Sequence, residues 1–220
     1  MPKTTSRGDK TRNNLLEVGT RLFSERGFAA VSTREIATAA ATTLPSISHH
    51  FGSKEGFYRA VLQNVSEQME EHFSVASAEA FGFLKRKQMT RQQRLDALQV
   101  FLSSVTRTIL QSSAEWVDLI TQEERLPAEA LKPIEQVIER QVLRPIMRLI
   151  ASLRGQSPSS RDVKLQAISL LGRVLILRTR RSATLRLLNW QELTPLRIER
   201  IIGTLRSEVD AIFGVRLDLS

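Results

Sequence analysis

The chain has 220 residues and a formal net charge of +9, long enough for one or two domains with a real core and basic enough to favour a polyanionic partner. It contains no cysteine, which excludes disulfides and thiolate metal sites and is compatible with a reducing cytoplasm, the location expected. No apolar run approaches the roughly 18–20 residues of a membrane span and no N-terminal segment has a signal-peptide core, so no membrane association is expected.

In chain order, residues 1–10 are polar and read as a flexible arm. A first helix is predicted from about Thr11 to Arg26, with Leu15, Val18, Leu22 and Phe23 inward, Gly27 as its left-handed stop and Phe28 closing on the last turn. Ser32 with Glu35 is a capping box, opening a short helix whose apolar face is Ile36, Ala37 and Ala40. Ala41, Thr42 and Thr43 break that helix. Thr43 is the expected cap of the next, with Pro45 in its first turn, where a missing N–H costs nothing. Leu44, Ile47 and Phe51 share one side at helical spacing and are expected to anchor it. Ser46, Ser48, His49 and His50 are left on the remaining surface, the small polar and imidazole groups that a major-groove reader requires. Ser53 caps a fourth helix, predicted to run to the mid-70s as one rigid rod, with Phe57, Val61 and Val65 along one stripe.

The remainder also reads as helical. Thr90 with Gln93 is a second capping box, followed by Leu95, Leu98, Leu102, Val105 and Ile109 at three- and four-residue steps. Ser112 with Glu115 opens a shorter helix carrying Trp116 and Ile120. Pro133 is expected to start another long helix that meets Pro145 in mid-run and kinks there. Gly155 to Ser160 is a loop; helices follow from Asp162 to about Arg178 and from Pro195 to Phe213, the latter capped by Thr194. Strand alternation is nowhere persuasive. The predicted fold class is all-α, about nine helices in all: an N-terminal three-helix helix-turn-helix domain over residues 1–57, then a helical ligand-binding and dimerisation bundle over residues 58–220.

Thr33-Arg34-Glu35-Ile36-Ala37, Ala39-Ala40-Ala41 and Ile47-Ser48-His49-His50-Phe51-Gly52-Ser53-Lys54-Glu55 together closely resemble the helix-turn-helix of TetR-type bacterial transcriptional regulators, and Leu22 to Phe28 looks like the end of that family's first helix. The resemblance covers roughly residues 10–65. The chain departs from the family at Ala41, Thr42 and Thr43, where Gly, Val and Ser are usual, and at Ser48, where a Tyr usually grips a phosphate. The body resembles, more loosely, the CecR-like (YbiH-like) branch, through Arg144-Pro145, Leu171-Gly172-Arg173-Val174 and Leu187 to Pro195.

The resemblance implies a ligand-responsive regulator, a repressor, working in the cytoplasm on the bacterial nucleoid. It would bind a palindromic operator in double-stranded DNA as a homodimer, to be released by a small-molecule effector. The DNA-contacting set is Thr33, Arg34, Thr43, Ser46, Ser48, His49, His50 and Lys54. In it His50 matches the family's phosphate-contacting His, and Lys54 stands at a helix N-terminus that itself favours an anion. The last two long helices would form the dimer seam through Leu171, Gly172, Leu175, Ile198, Ile201, Ile202, Gly203, Leu205 and Val209, the glycines allowing close helix approach. Phe101, Trp116 and Met147, beside the Pro145 break, are the expected lining of an effector cavity, with Arg140, Arg144 and Arg173 favouring an anionic ligand if they face it.

Charge alone would point elsewhere. Residues 1–57 hold eight basic and five acidic side chains, whereas residues 140–190 hold eleven Arg or Lys and one acid, Asp162. Arg178, Arg180, Arg181 and Arg186 read as a solvated face. No metal site is expected from His49, His50 and His72, which lack an i, i+4 pair and an adjoining carboxylate cluster, and no cofactor is expected. An enzyme is excluded by the lack of Cys, of Gly-x-Ser-x-Gly and of a phosphate-cradling glycine loop. The remaining alternatives are a constitutive DNA-binding regulator and a helical protein- or lipid-binding bundle with a vestigial helix-turn-helix.

Overall fold

The computed structural model describes residues 7–111, 117, 119 and 128–214, and among them every regular element is helical. The elements are α1 (Arg7–Ala30), α2 (Thr33–Ala39), α3 (Leu44–Phe51), α4 (Lys54–Leu84) and α5 (Arg91–Gln111). They continue with α6 (Ala128–Val137), a π-helical turn (Ile138–Leu143), α7 (Arg144–Arg154), α8 (Arg161–Thr179), α9 (Arg181–Leu187) and α10 (Pro195–Phe213). Two compact units result: Met1–Met69 with Ala114–Gln136, and Glu70–Ser113 with Val137–Ser220.

The first unit is organised by aromatic packing between α1 and the first half of α4. Phe23 lies 5.8 Å from Phe57, and its ring meets Tyr58 edge-on at 4.8 Å; Phe28 lies 4.9 Å from Tyr58. Phe57, Tyr58, Val61, Leu62 and Val65 are all buried, so the first half of α4 belongs to this core and the unit boundary falls after Met69, further along than residue 57. Gly19 lets α1 and α4 approach: a Cβ there would stand 2.5 Å from Cζ of Phe57 and 2.9 Å from Cγ2 of Val61. Helix α1 begins at Arg7, inside the stretch expected to be an arm. Gly27 does interrupt it, at φ 77°, but with ψ 165° rather than a left-handed helical value, and a further helical turn reaches Ala30.

In the second unit α5 is buried nearly all round, with Leu98, Phe101, Val105 and Thr106 out of solvent, and α7, α8 and α10 pack around it. A polar contact recurs along the α5/α10 seam: Gln99 donates to Asp210 at 2.7 Å, Arg206 donates to the Ser103 hydroxyl at 3.1 Å, and Arg107 grips Glu199 with two bonds at 2.7 and 2.9 Å. The bond from Arg107 holds the Glu199 carboxyl below its ordinary range. Arginines also satisfy helix ends: Arg91 donates to the carbonyls of Leu153 (2.9 Å) and Phe213, and Arg94 to that of Ser152 (2.7 Å).

Four features of the helices after α5 differ from expectation. Pro133 lies inside α6 rather than starting a helix; it removes one interior hydrogen bond, a loss the burial of Leu131 and Ile134 on either side outweighs. The strain of Pro145 is taken up before it, by a π-helical turn in which the Arg144 N–H donates to the Glu139 carbonyl five residues back. The wider turn accommodates a ring that would otherwise strike the carbonyl of residue 141. Helix α9 was not expected at all, and Arg178, placed on a solvated face by the sequence, is buried. The helix expected from Ser112 and Glu115, with Trp116 and Ile120, lies outside the described residues; Val117 and Leu119 nearby are helical and buried. No helix among the described residues is long and apolar enough to cross a membrane.

Candidate nucleic-acid interface

A short turn joins α3 to helix α2, which is held at both ends. At its start the capping box is complete: the Ser32 hydroxyl accepts from the Glu35 N–H at 3.2 Å, and the Glu35 carboxylate accepts from the Ser32 N–H at 2.8 Å. Arg26 reaches across to Glu35 at 2.8 Å and to the Ala30 carbonyl at 3.0 Å, tying the end of α1 to α2. These donors, the Ser32 backbone first, hold the Glu35 carboxyl down to about 2. At its end the Asn14 amide donates to the Ala40 carbonyl at 2.8 Å, so α1 braces the turn as well. Sequence reasoning passed over Asn14; its only signal is a carboxamide in the middle of an amphipathic helix.

The turn keeps its form without glycine. Ala41 takes φ 49°, the left-handed conformation, while the Thr42 N–H donates to the Ala37 carbonyl at 2.9 Å. Thr43 stands at the cap position of α3, but its hydroxyl lies 3.3 Å from the Ser46 hydroxyl and caps no backbone N–H, contrary to expectation. The two hydroxyls satisfy each other, and the Thr43 carbonyl accepts from the Ser46 N–H at 3.0 Å.

Helix α3 presents a different face from the one the sequence suggested. Ile47 is 2% exposed and Phe51 packs edge-on against Phe57 at 4.8 Å, so these two anchor the helix. Leu44 does not: it is 40% exposed. At the first position of an eight-residue helix it stands one turn before Ser48, at the edge between the anchored side and the exposed face. Leu44, Pro45, Ser48 and His49 are thus the exposed face, while Ser46 and His50 are half-buried at its margin. The rings of His49 and His50 meet edge-on at 5.2 Å. Among the described residues no group of His, Cys, Asp or Glu is arranged to hold a metal ion.

Beside this face, Arg34 is exposed and Thr33 half-exposed in the first turn of α2, and Lys54 opens α4. The Lys54 ammonium sits over the Phe28 ring, 4.4 Å from its centroid, a placement that holds the charge near the helix terminus. Arg12 lies 5.7 Å from the Phe51 ring.

The described residues expected to line an effector cavity lie in different helices. Phe101 is buried in α5 and Met147 is half-buried, while Trp116 lies outside the described residues. Arg140 pairs with Glu70, Arg144 with Glu139 at 3.1 Å and Arg173 with Glu208, all at partly exposed surface. Their charge is answered locally by carboxylates on the same or adjacent helices. A niche of about 10 Å³ between α5 and α10 is lined by Leu102, Ser103, Thr106, Ile202 and Arg206 among others.

The expected dimer residues divide. Leu171, Ile198, Ile201, Ile202 and Val209 are buried within the chain, a correction that follows from helices carrying apolar side chains on more than one side: the inward stripes pack on α5 and α7. Leu175 and Leu205 are half-buried. The outward stripe of α8 holds Leu165, Ile168 and Ile176, each more than half exposed, with Gly172 among them; a Cβ at Gly172 or Gly203 would meet no atom within 4 Å.

Comparison with known proteins is consistent along the chain. Residues 15–61 match the family described as bacterial regulatory proteins, tetR family, and residues 95–214 match the C-terminal domain of the HTH-type transcriptional dual regulator CecR. The dual regulator CecR of Shigella flexneri is 26% identical over 223 residues, covering 96% of this chain and 95% of that protein. The HTH-type transcriptional repressor AcnR of Corynebacterium glutamicum is 30% identical over 116 residues, 50% of this chain and 60% of AcnR. Among solved structures, AibR in complex with isovaleryl coenzyme A and operator DNA has the same fold, with a TM-score of 0.63 at 21% identity over 92% of this chain and 98% of AibR.

Proposed function

Because this chain belongs to the TetR family of bacterial regulatory proteins and carries a CecR-type C-terminal domain, we propose that it represses transcription as a homodimer on a palindromic operator and is released by a small molecule bound in its helical body. Its class is DNA-binding transcriptional regulator, not enzyme. The observation that carries the reading is the exposed face of α3, held off the protein by Ile47 and Phe51 and fixed in direction by the Ser32–Glu35 box and by Asn14. In the proposed complex two copies of α3 enter successive major grooves, and Thr33, Arg34, His50 and Lys54 stand beside them for the phosphates. A ligand in the body acts through α4, which begins beside the reader and continues into the second unit. Operator DNA must then weaken ligand binding by the same factor as the ligand weakens DNA binding. The solved complex of AibR with an acyl coenzyme A and its operator supports a ligand-responsive member of this fold.

Selection from a random duplex pool with the purified full-length chain tests the reading, and a palindromic consensus is the expected result. Affinity for the selected duplex should fall linearly with salt on a log–log scale, by about 0.9 per neutralised phosphate. Lys54→Ala and His50→Ala should lower affinity and slope for all sequences alike; unchanged affinity and slope would remove the phosphate role. A regulator without an effector is the second reading, favoured by the pairing of Arg140, Arg144 and Arg173 with carboxylates. It predicts that metabolite screens leave DNA affinity unchanged.

A further inference from the structure

The exposed face of α3 carries two chemistries. Its second half offers hydrogen-bonding groups, the Ser48 hydroxyl and the His49 imidazole. Its first half offers none: Leu44 is apolar, Pro45 has no N–H, and the nearby Ser46 hydroxyl is half-buried and engaged with Thr43 at 3.3 Å. In a helix-turn-helix the N-terminal residues of the reader come closest to the base edges. Leu44, at the first position of α3 and 40% exposed, is therefore a large apolar group held out where base edges would be met. The anchoring contacts of the helix are made by Ile47 and Phe51, and they leave Leu44 at the open end of the helix, in contact with solvent. Along the major-groove edges of the four bases a single apolar group is presented, the C5-methyl of thymine.

We propose that Leu44 is a specificity-determining residue that reads thymine by apolar contact with its C5-methyl group, one thymine in each operator half-site. The pyrrolidine of Pro45, one position on, widens the same apolar edge, and Ser48 and His49 read the adjoining base pairs by hydrogen bonding. The proposal rests on the operator-binding reading above, and it makes half-site sequence preference partly a preference for a methyl group rather than for a donor or acceptor.

The test uses the duplex selected by the full-length chain, with each thymine replaced in turn by deoxyuridine, which removes the methyl and leaves the hydrogen-bonding edge intact. Binding is followed by fluorescence anisotropy at fixed salt. One symmetry-related thymine per half-site should lose about fourfold in affinity, the value of one buried methyl group. Leu44→Ala should bind the thymine and uracil duplexes equally, whereas Leu44→Met should keep the discrimination. Because Leu44 is exposed, the Ala variant should melt with the parent protein. If no thymine is methyl-sensitive in the unmodified protein, or Leu44→Ala keeps the same sensitivity, the proposal is overturned while the DNA-binding reading stands. A pool that yields no enriched sequence overturns that reading and the proposal with it.

Discussion

Glu35 accepts from the Ser32 backbone, the Ser32 hydroxyl and Arg26, and each of these bonds favours its ionised form. With its folded pKa near 2 against an ordinary 4.5, its contribution to stability is fully present above about pH 4.5 and is lost as pH falls towards 2. Glu35→Gln should therefore melt below the parent at pH 7 and converge with it in acid, as read by circular dichroism at a series of pH values. Tyr58 gives a prediction of the opposite sign. Its ring is packed against Phe23 and Phe28, yet its hydroxyl is buried with no hydrogen-bond partner among the described residues, and burial pushes its pKa up. Tyr58→Phe removes an unsatisfied polar group without changing shape and should stabilise the fold by about 1 kcal/mol in urea unfolding.

The crossing of α1 and α4 is a single element-level contact with a defined weak point. Gly19 stands where any side chain would press on Phe57 and Val61, two fully buried residues that cannot swing away into solvent. Gly19→Ala should cost about 1–3 kcal/mol of stability by overpacking, measured by urea unfolding, despite the better helix propensity of alanine. The π-helical turn before Pro145 is the counterpart in the second unit. It brings Arg140 and Gln141 onto the same carboxylate of α4, Glu70, with Gln141 at 2.8 Å. Those groups are partly exposed, so Glu70→Ala is expected to change stability by less than about 1 kcal/mol. Any larger effect on DNA affinity would show that the contact positions α4 rather than stabilising the fold.

For the whole molecule, the outward stripes of α8 and α10 are the surface a second copy would cover. Each helix has 19 residues, about 28 Å of length, enough for an interface of standard size. Leu165, Ile168 and Ile176 carry the apolar part on α8, and the open positions at Gly172 and Gly203 leave room for close helix approach. Ile168→Glu should shift sedimentation from dimer to monomer at micromolar concentration and reduce palindrome affinity to that of a half-site. Leu175→Ala, at a half-buried position, should have a smaller effect on association. A monomeric parent protein would remove the dimer from the proposal.

Local signals carry a long way in this chain because caps and helical periodicity are short-range physics. The Ser32–Glu35 and Thr90–Gln93 boxes and the Thr194 cap that opens α10 are set by residues within one turn of each other, and all are readable in order, whereas the Ser160 cap reads only as the end of a loop. The helix-turn-helix and the all-α class follow from them. Which side of each helix is inward does not. Leu44 and Ile47 carry similar side chains three residues apart, and only contact with the rest of the chain decides that Ile47 is buried and Leu44 faces out. The same holds for Leu171 against Ile168, and for arginines whose partners, Glu70 and Glu208, are many residues away. Local spacing and caps determined most of the helices of this protein, though not α9 or the π-helical turn; the choice of exposed face, and with it the proposed reading and association surfaces, was decided by tertiary packing, because burial depends on neighbours distant in sequence.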